Sequence, residues 1–118
     1  MLRGIRGAIT VRSNTKEEII DAVKRLLSEI AEQNKIRADE VASVFFSVTD
    51  DLNAAFPAEA ARIIGWKDTA LLCTREIPVP KSLEKCVRVL LHVNTHMPQM
   101  KMKHVYLEGA KILRRQRT

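Results

Sequence analysis

The chain has 118 residues, of which 46% are hydrophobic and 29% are charged. This length predicts one domain over residues 1–118 with a modest core, and this balance is typical of a folded protein rather than a disordered one. No apolar run approaches the roughly 20 residues that a membrane helix needs, and the first residues lack the apolar stretch of a signal peptide. We therefore expect a cytoplasmic protein.

The net charge of +6 is concentrated near the end of the chain. Residues 1–98 carry 14 basic and 13 acidic side chains, whereas residues 99–118 carry six basic and one acidic. The excess includes a basic tail at 115–118, which we expect to be flexible. Such a tail suits a nucleic acid or a small anion, but aromatic residues make up only 4% of the chain, which argues against nucleic acid.

Cysteine and histidine spacing excludes two common kinds of site. Cys73 and Cys86 are too few for a disulfide framework or a structural zinc site, so Cys86 is interpreted as a buried thiol. His92 and His96 lie four residues apart but end a strand pattern, with no third ligand in view. We expect no metal and no cofactor.

The first half of the chain gives the clearest structural signals. Residues 2–11 predict a strand, and Thr15 followed by Glu18 predicts the start of a helix that ends at Asn34. Apolar side chains repeat at helical spacing through this helix, so one face of it should lie on a sheet.

The second half alternates short strands with turns. A short helix begins at Pro57 and ends at Gly65, the usual arrangement of these two residues. Further strands are predicted at 41–49, 69–74 and 83–95, with short strand pieces at 103–107 and 110–113. The pattern predicts an α+β fold, a mixed sheet of about five strands packed by one long and one short helix.

Two arginines interrupt the alternation of their strands. Arg88 lies between a cysteine and a leucine on one face of the longest strand, and Arg6 lies among small residues on the first strand. A solvated face explains each arginine separately. A ligand site explains both, because a cation in a partly dry cavity is costly unless an anion pairs with it.

Four other polar side chains extend this hypothesis: Glu76 after the third strand, Tyr106, Arg62 and Arg114. Each has an ordinary structural explanation as well. Together they suit a pocket for a small polyanion that also carries a hydroxyl. We find no nucleophile–base pair, phosphate loop or metal cluster, so an enzyme of this sequence would act by positioning and fixed charge.

Ordered sequence blocks resemble the trimeric, monofunctional class of chorismate mutase. The blocks are Arg3-Gly4-Ile5-Arg6-Gly7-Ala8-Ile9-Thr10, Asp51-Leu52, Phe56-Pro57-Ala58, Cys86-Val87-Arg88-Val89 and His104-Val105-Tyr106-Leu107-Glu108. They run in order over nearly the whole chain. The resemblance implies a homotrimer with a barrel-like core, active sites between adjacent subunits, and conversion of chorismate to prephenate without a cofactor, in phenylalanine and tyrosine biosynthesis.

The resemblance also implies a role for each site residue. Arg88 would lie beside the breaking ether oxygen, with Arg6 and Tyr106 at the side-chain carboxylate. Glu76 and Cys73 would contact the ring hydroxyl. The remaining matches are the pocket walls at Phe56, Ala58, Leu71 and Leu113, and the arginines near the ring carboxylate, Arg62 and Arg114.

Two positions depart from the family pattern, and three alternatives remain. Glu59 stands where relatives can have a lysine near the pocket mouth, and Leu72 replaces a threonine found in some members. The alternatives are a reactive-intermediate deaminase-like trimer, a nucleic-acid-binding module that uses the basic tail, and a catalytically inactive relative.

Overall fold

The structure, a computed structural model, describes the backbone of residues 1–116 and the side chains of residues 1–114. The side chains of the predicted basic tail, 115–118, lie outside the described residues. None of the helices in the described part of the chain is long and apolar enough to cross a membrane. In chain order, the elements are β1 (Leu2–Thr10), α1 (Lys16–Asn34), β2 (Val41–Val48), α2 (Ala58–Ile63), β3 (Ala70–Arg75), β4 (Cys86–Asn94), β5 (Val105–Leu107) and α3 (Leu113–Gln116).

The five strands form one mixed sheet in the order β3-β2-β4-β1-β5. Strand β4 is central and pairs antiparallel with both β1 and β2. The outer strands β3 and β5 run parallel to their neighbours β2 and β1. A mixed five-stranded sheet with the long helix α1 and the short helix α2 confirms the predicted α+β class.

Helix α1 begins and ends where the sequence predicts, but a different residue takes the left-handed conformation at its end. Oγ1 of Thr15 accepts the N–H of Glu18 at 3.2 Å, so Thr15 is the N-cap. At the other end Lys35, rather than Asn34, takes the left-handed conformation, with a φ of 52°. The Asn34 amide instead donates to the carbonyl of Lys103 at 2.9 Å, which ties α1 to the segment before β5.

The apolar side of α1 packs on one face of the sheet, called here the helix face. Gly7 of β1 lies where the two layers approach most closely. A Cβ at this position would lie 2.7 Å from Cδ1 of Ile30 and 3.2 Å from the carbonyl oxygen of Val105, so a side chain does not fit. The side chains buried in this layer include Ile5, Ile9, Ile19, Val23, Leu26, Ile30, Phe46, Val87, Leu91 and Val93.

The opposite side of the sheet, called here the open face, has a smaller apolar cluster. Ala8, Cys86 and Tyr106 of the sheet pack there against Ala110 and Leu113, which follow β5 in the chain. The end of the described chain therefore folds back over the sheet, near the row that carries Arg88, Ala8 and Tyr106.

The predicted strand piece at 110–113 is wrong. Residues Glu108–Ile112 form a 3-10 helix that continues into α3. Glu108 has a left-handed backbone with a φ of 52°, and the N–H of Gly109 donates to Oγ1 of Thr10 at 2.8 Å. This turn takes the chain out of the sheet, so the apolar side chains beyond it pack on the open face instead of pairing as a strand.

Candidate active site

Arg88 occupies the middle of a row that crosses the sheet. It pairs with Ser47 of β2 on one side and with Ala8 of β1 on the other, and Ala8 pairs in turn with Tyr106 of β5. Directly paired residues point to the same face of a sheet, so this row lies on the open face. Ala8 itself is fully buried and packs with Tyr106 against Ala110 and Leu113.

The Arg88 guanidinium forms an ion pair with Glu76. Nη1 of Arg88 lies 3.1 Å from Oε2 of Glu76, and the two side chains are 30% and 27% exposed. The backbone N–H of Glu76 donates to the carbonyl of Val48 at 2.8 Å, which fixes the carboxylate just beyond the end of β3. A partly buried pair of this kind offers one donor group and one acceptor group to a ligand.

Two cavities meet at this ion pair. One, of about 290 Å³, is lined by Arg6, Ser47, Leu90 and the pair itself. The other, of about 580 Å³, is lined by the pair together with Cys86, Leu83, Ile112 and Leu113. The larger volume is within the range of small-molecule sites, and the smaller is just below it. Arg6, Glu76, Arg88 and Leu113 therefore lie around connected space on the open face.

Tyr106 and Arg114 lie beside this space: Tyr106 packs with Leu113, which lines the larger cavity, and Arg114 follows it in the chain. Tyr106 is buried at 6% exposure, and the guanidinium carbon of Arg114 is 6.0 Å from the centre of its ring. This distance is at the limit of a cation–π contact. The arrangement adds a second cation and a phenol to the side of the row opposite Glu76.

The other predicted site residues lie elsewhere in the chain. Leu71 and Cys73 of β3 pair with Val44 and Phe46, which turns them toward the helix face, where they pack against the main core. Cys73 lines a separate cavity of about 490 Å³. The remaining residues of this group are Phe56, which lines the same cavity, the buried Ala58, and the exposed Arg62.

The structure thus divides the predicted residues into two groups. The first group lies on the open face or on the segment that covers it, whereas in the second group Phe56 and Cys73 line the separate cavity near β3 and α2. A single chain does not bring Cys73 and Glu76 to one cavity, although the resemblance pairs them at one hydroxyl. Group one is Arg6, Glu76, Arg88, Tyr106, Leu113 and Arg114; group two is Phe56, Ala58, Arg62, Leu71 and Cys73.

The two departures from the family pattern have clear surroundings. Glu59 pairs with Lys16 at the start of α1, with Nζ 3.4 Å from Oε1, and both residues line the second group's cavity. The cation at this edge therefore comes from α1. Leu72 is 53% exposed, on the open-face side of β3.

Burial shifts the pKa values of two titratable groups next to the site. Burial raises the pKa of the Cys86 thiol to about 11, against the opposing effect of Arg88. The thiol is therefore protonated at neutral pH and belongs to the packing. Burial, together with the charge of Arg6, lowers the pKa of His104.

His104 was not among the predicted site residues, yet it holds Arg6. Its Nδ1 accepts the backbone N–H of Arg6 at 2.9 Å, just before β5 pairs with β1. Only a ring with an unprotonated Nδ1 can accept this bond. Thr49 and Asp51 hold the start of β4. The sequence analysis did not single out Thr49, and it named Asp51 only within a resemblance block, without a role.

The chain is a small α+β protein whose open face carries a partly buried Arg88–Glu76 pair between two cavities. Comparison with known proteins gives the class its name. The chain matches the family model for chorismate mutase type I over residues 2–117. The chain therefore belongs to the chorismate mutase type I family, a family of isomerases.

Named relatives and a solved structure agree with this match. The chain is 52% identical over 115 residues to the chorismate mutase AroH of Thermus thermophilus, covering 97% of this chain and 94% of the relative. It is 44% identical over 115 residues to chorismate mutase AroH of Bacillus subtilis, covering 97% and 91%. A chorismate mutase from Clostridium thermocellum has a TM-score of 0.91 at 55% identity, covering 92% of this chain and 97% of that one.

Proposed function

We propose that the chain rearranges chorismate to prephenate in a single concerted step, without a cofactor, in the biosynthesis of phenylalanine and tyrosine. The observation that carries this proposal is the half-buried Arg88–Glu76 pair between two cavities on the open face. Family membership supports it independently. The alternatives of a deaminase-like trimer and of a nucleic-acid module give way to this match.

The reaction needs little beyond charge placed in the right positions. Chorismate carries two carboxylates and one hydroxyl, and its enolpyruvyl ether bond breaks as a new carbon–carbon bond forms. Negative charge grows on the ether oxygen during this step. A guanidinium fixed beside that oxygen binds the transition state more tightly than the substrate, and this difference is what lowers a barrier. One such donor typically contributes about 3–4 kcal/mol.

The other group-one residues hold the substrate in a reactive shape. Arg6 and Tyr106 bind the side-chain carboxylate, a role supported by their position on the same face of the sheet as Arg88. Glu76 accepts from the ring hydroxyl. Holding the flexible arm over the ring lowers the barrier further, since the reacting atoms no longer have to find each other.

We further propose that a neighbouring subunit supplies the second group in a homotrimer. Phe45, Leu72 and Leu90 expose apolar side chains on the open face, at 40%, 53% and 37%. Contiguous apolar surface of this kind marks an interface, and a head-to-tail contact that closes gives a ring. Cys73 and Phe56 of one subunit would then complete the site around Arg88 of the next. The cytoplasm stays our predicted location, supported by two free cysteines.

The direct test mixes purified protein with chorismate and follows the loss of its ultraviolet absorbance, with prephenate identified by chromatography. Sedimentation in the same buffer should give three times the 13.4 kDa chain mass. A protein that leaves chorismate unchanged, above the uncatalysed rate, contradicts the proposed activity. A monomer that is fully active contradicts only the shared site.

A further inference from the structure

Strand β4 begins at Cys86, later than the predicted start at residue 83, and a carboxylate outside the sheet holds that start. Both oxygens of Asp51 accept the backbone N–H of Lys85, at 3.1 and 2.9 Å. Asp51 also accepts the hydroxyl of Thr49 at 2.5 Å. Oγ1 of Thr49 in turn accepts the N–H of Cys86 at 3.0 Å, and the Thr49 N–H donates to the Cys86 carbonyl at 3.1 Å.

The residue that Asp51 holds has an unusual backbone. Lys85 is left-handed, with a φ of 48°, although it is not a glycine. Its carbonyl accepts the N–H of Val11 at 2.7 Å, so its peptide groups are fixed from two directions. A strained residue of this kind persists only where its surroundings enforce it, and such residues concentrate at functional sites.

The same short segment also fixes the other end of the loop. The N–H of Glu76 donates to the carbonyl of Val48, directly before Thr49. The loop 76–85 is therefore closed at both ends by residues 48–51. Glu76 stands at its first position, and Arg88 follows three residues after its last. The distance between the two charged groups depends on how this loop is closed.

We propose that Asp51, acting through Thr49 and Lys85, is a positioning residue that sets the Arg88–Glu76 pair for catalysis. The inference rests on the proposed function, because it assigns Arg88 to the reacting oxygen. Among the described residues, the side-chain hydrogen bonds of Asp51 are to Thr49 and to the backbone of Lys85, and none is to a group-one side chain. Its effect should therefore fall on turnover rather than on substrate affinity, because a misplaced guanidinium loses transition-state contact first.

The test compares two adjacent carboxylates. Asp51→Ala should lower kcat about tenfold or more with KM changed by less than about twofold, as small misplacements near a reacting centre do. Asp50→Ala is the matched control. Asp50 pairs with Arg75 at 2.7 Å, and Arg75 is 77% exposed, so this change should leave kcat within about twofold.

A second variant distinguishes positioning from general loss of stability. In Asp51→Ala/Lys85→Gly the left-handed residue is a glycine, which adopts this backbone without strain, so part of the lost kcat should return. Thr49→Val should reproduce the kcat loss, whereas Thr49→Ser, which keeps the hydroxyl, should not. Thermal melts and sedimentation of each variant show whether it is folded and assembled; if Asp51→Ala does not fold, the two Thr49 variants decide the question.

Two results would overturn the inference. One is an Asp51→Ala protein whose melting temperature falls while kcat stays at the parent value. The other is a crystal structure of that variant in which residues 85–88 and the 3.1 Å Arg88–Glu76 contact are unchanged. The crystal structure needs no activity, so it decides the inference even if the parent protein fails to convert chorismate, which would contradict the proposed function instead.

Discussion

The helix face and the open face of the sheet place different requirements on the side chains that they carry. On the helix face, the β4 residues Val87, Val89, Leu91 and Val93 are all nearly inaccessible and pack against the main core. On the open face the same strand carries a cysteine, an arginine, a leucine and a histidine. On the helix face the requirement is burial in the core, and any apolar residue of the right volume meets it. The second face places particular chemical groups at particular positions, so substitutions on the two faces should fail in different ways.

The largest expected effect is on the open face, at Arg88. Arg88→Ala should lower kcat/KM several hundred-fold, a loss of about 3–4 kcal/mol of transition-state stabilisation, because the growing charge on the ether oxygen loses its donor. The fold should be retained. Arg88→Lys should also lose most activity, since an ammonium cannot reproduce the planar guanidinium. The chorismate absorbance assay measures both. Arg37→Ala is the control, because Arg37 is an exposed arginine paired with Asp39. An Arg88→Ala enzyme with a tenth or more of parent activity would disprove the assignment of Arg88 to the ether oxygen.

Glu76 comes next on the same face. Glu76→Ala should lower kcat/KM by an amount equivalent to about 1.5–3 kcal/mol of transition-state stabilisation, because the ring hydroxyl loses a charged acceptor. The same assay measures it. Glu29→Ala is a suitable comparison, since the Glu29 carboxylate on α1 accepts a hydrogen bond from the Gln33 amide and lines neither cavity at the Arg88–Glu76 pair. Equal rates for the two variants would show that Glu76 has no part in catalysis.

Two glycines on opposite faces of β1 sharpen the comparison directly. Gly7→Ala puts a methyl group against Ile30 and Val105 and should lower the free energy of unfolding by about 1–3 kcal/mol. Gly4→Ala meets only Cδ1 of Leu90, at 3.8 Å, so its effect should be within about 0.5 kcal/mol. Denaturant midpoints measure both; similar losses would mean that the open face at Gly4 is as crowded as the helix face.

The smallest expected effect is a pH dependence of stability at His104. Its pKa is below the ordinary value of 6.5, so the unfolded chain binds the proton more readily. The contribution is fully present above pH 6.5 and is lost as the pH falls through the lowered value. His104→Asn keeps an acceptor for Arg6 without titrating, and should flatten this part of the curve of unfolding free energy against pH. The exposed His96→Asn is the control, and an unchanged slope in His104→Asn would contradict the prediction.

Burial patterns made much of the fold predictable. The N-cap of α1, its apolar stripe and the central position of β4 follow from local chemistry, and the structure confirms them. Helix α1 ends at Asn34 as predicted, but the left-handed residue is Lys35, and the Asn34 amide makes a tertiary contact with Lys103. The segment 110–113 was predicted as a strand because it contains apolar residues. Two of them, Ala110 and Leu113, are buried, but they pack on the open face of the sheet and do not pair with a neighbouring strand.

The candidate site was predictable only in part. Arg88 and Arg6 could be identified because each breaks an alternating pattern. The division of the site residues into two groups depends on strand register, such as the pairing of Phe46 with Cys73, and register is a long-range property. The hydrogen bonds of Thr49 and Asp51 to the start of β4 join residues more than thirty positions apart, and no local spacing indicates them.

The strand order has a consequence for biosynthesis of the chain. Of the five strands, β1 is synthesised before the others, but its two neighbours in the sheet are β4 and β5, the last two of the five. Antiparallel pairing of Gly4 with His92 and parallel pairing of Gly7 with Val105 both wait until those two strands have been synthesised. Such distant pairings form slowly. The nascent protein therefore keeps its first apolar strand unpaired until β4 and β5 are available, and an unpaired apolar strand is open to misassembly during that period.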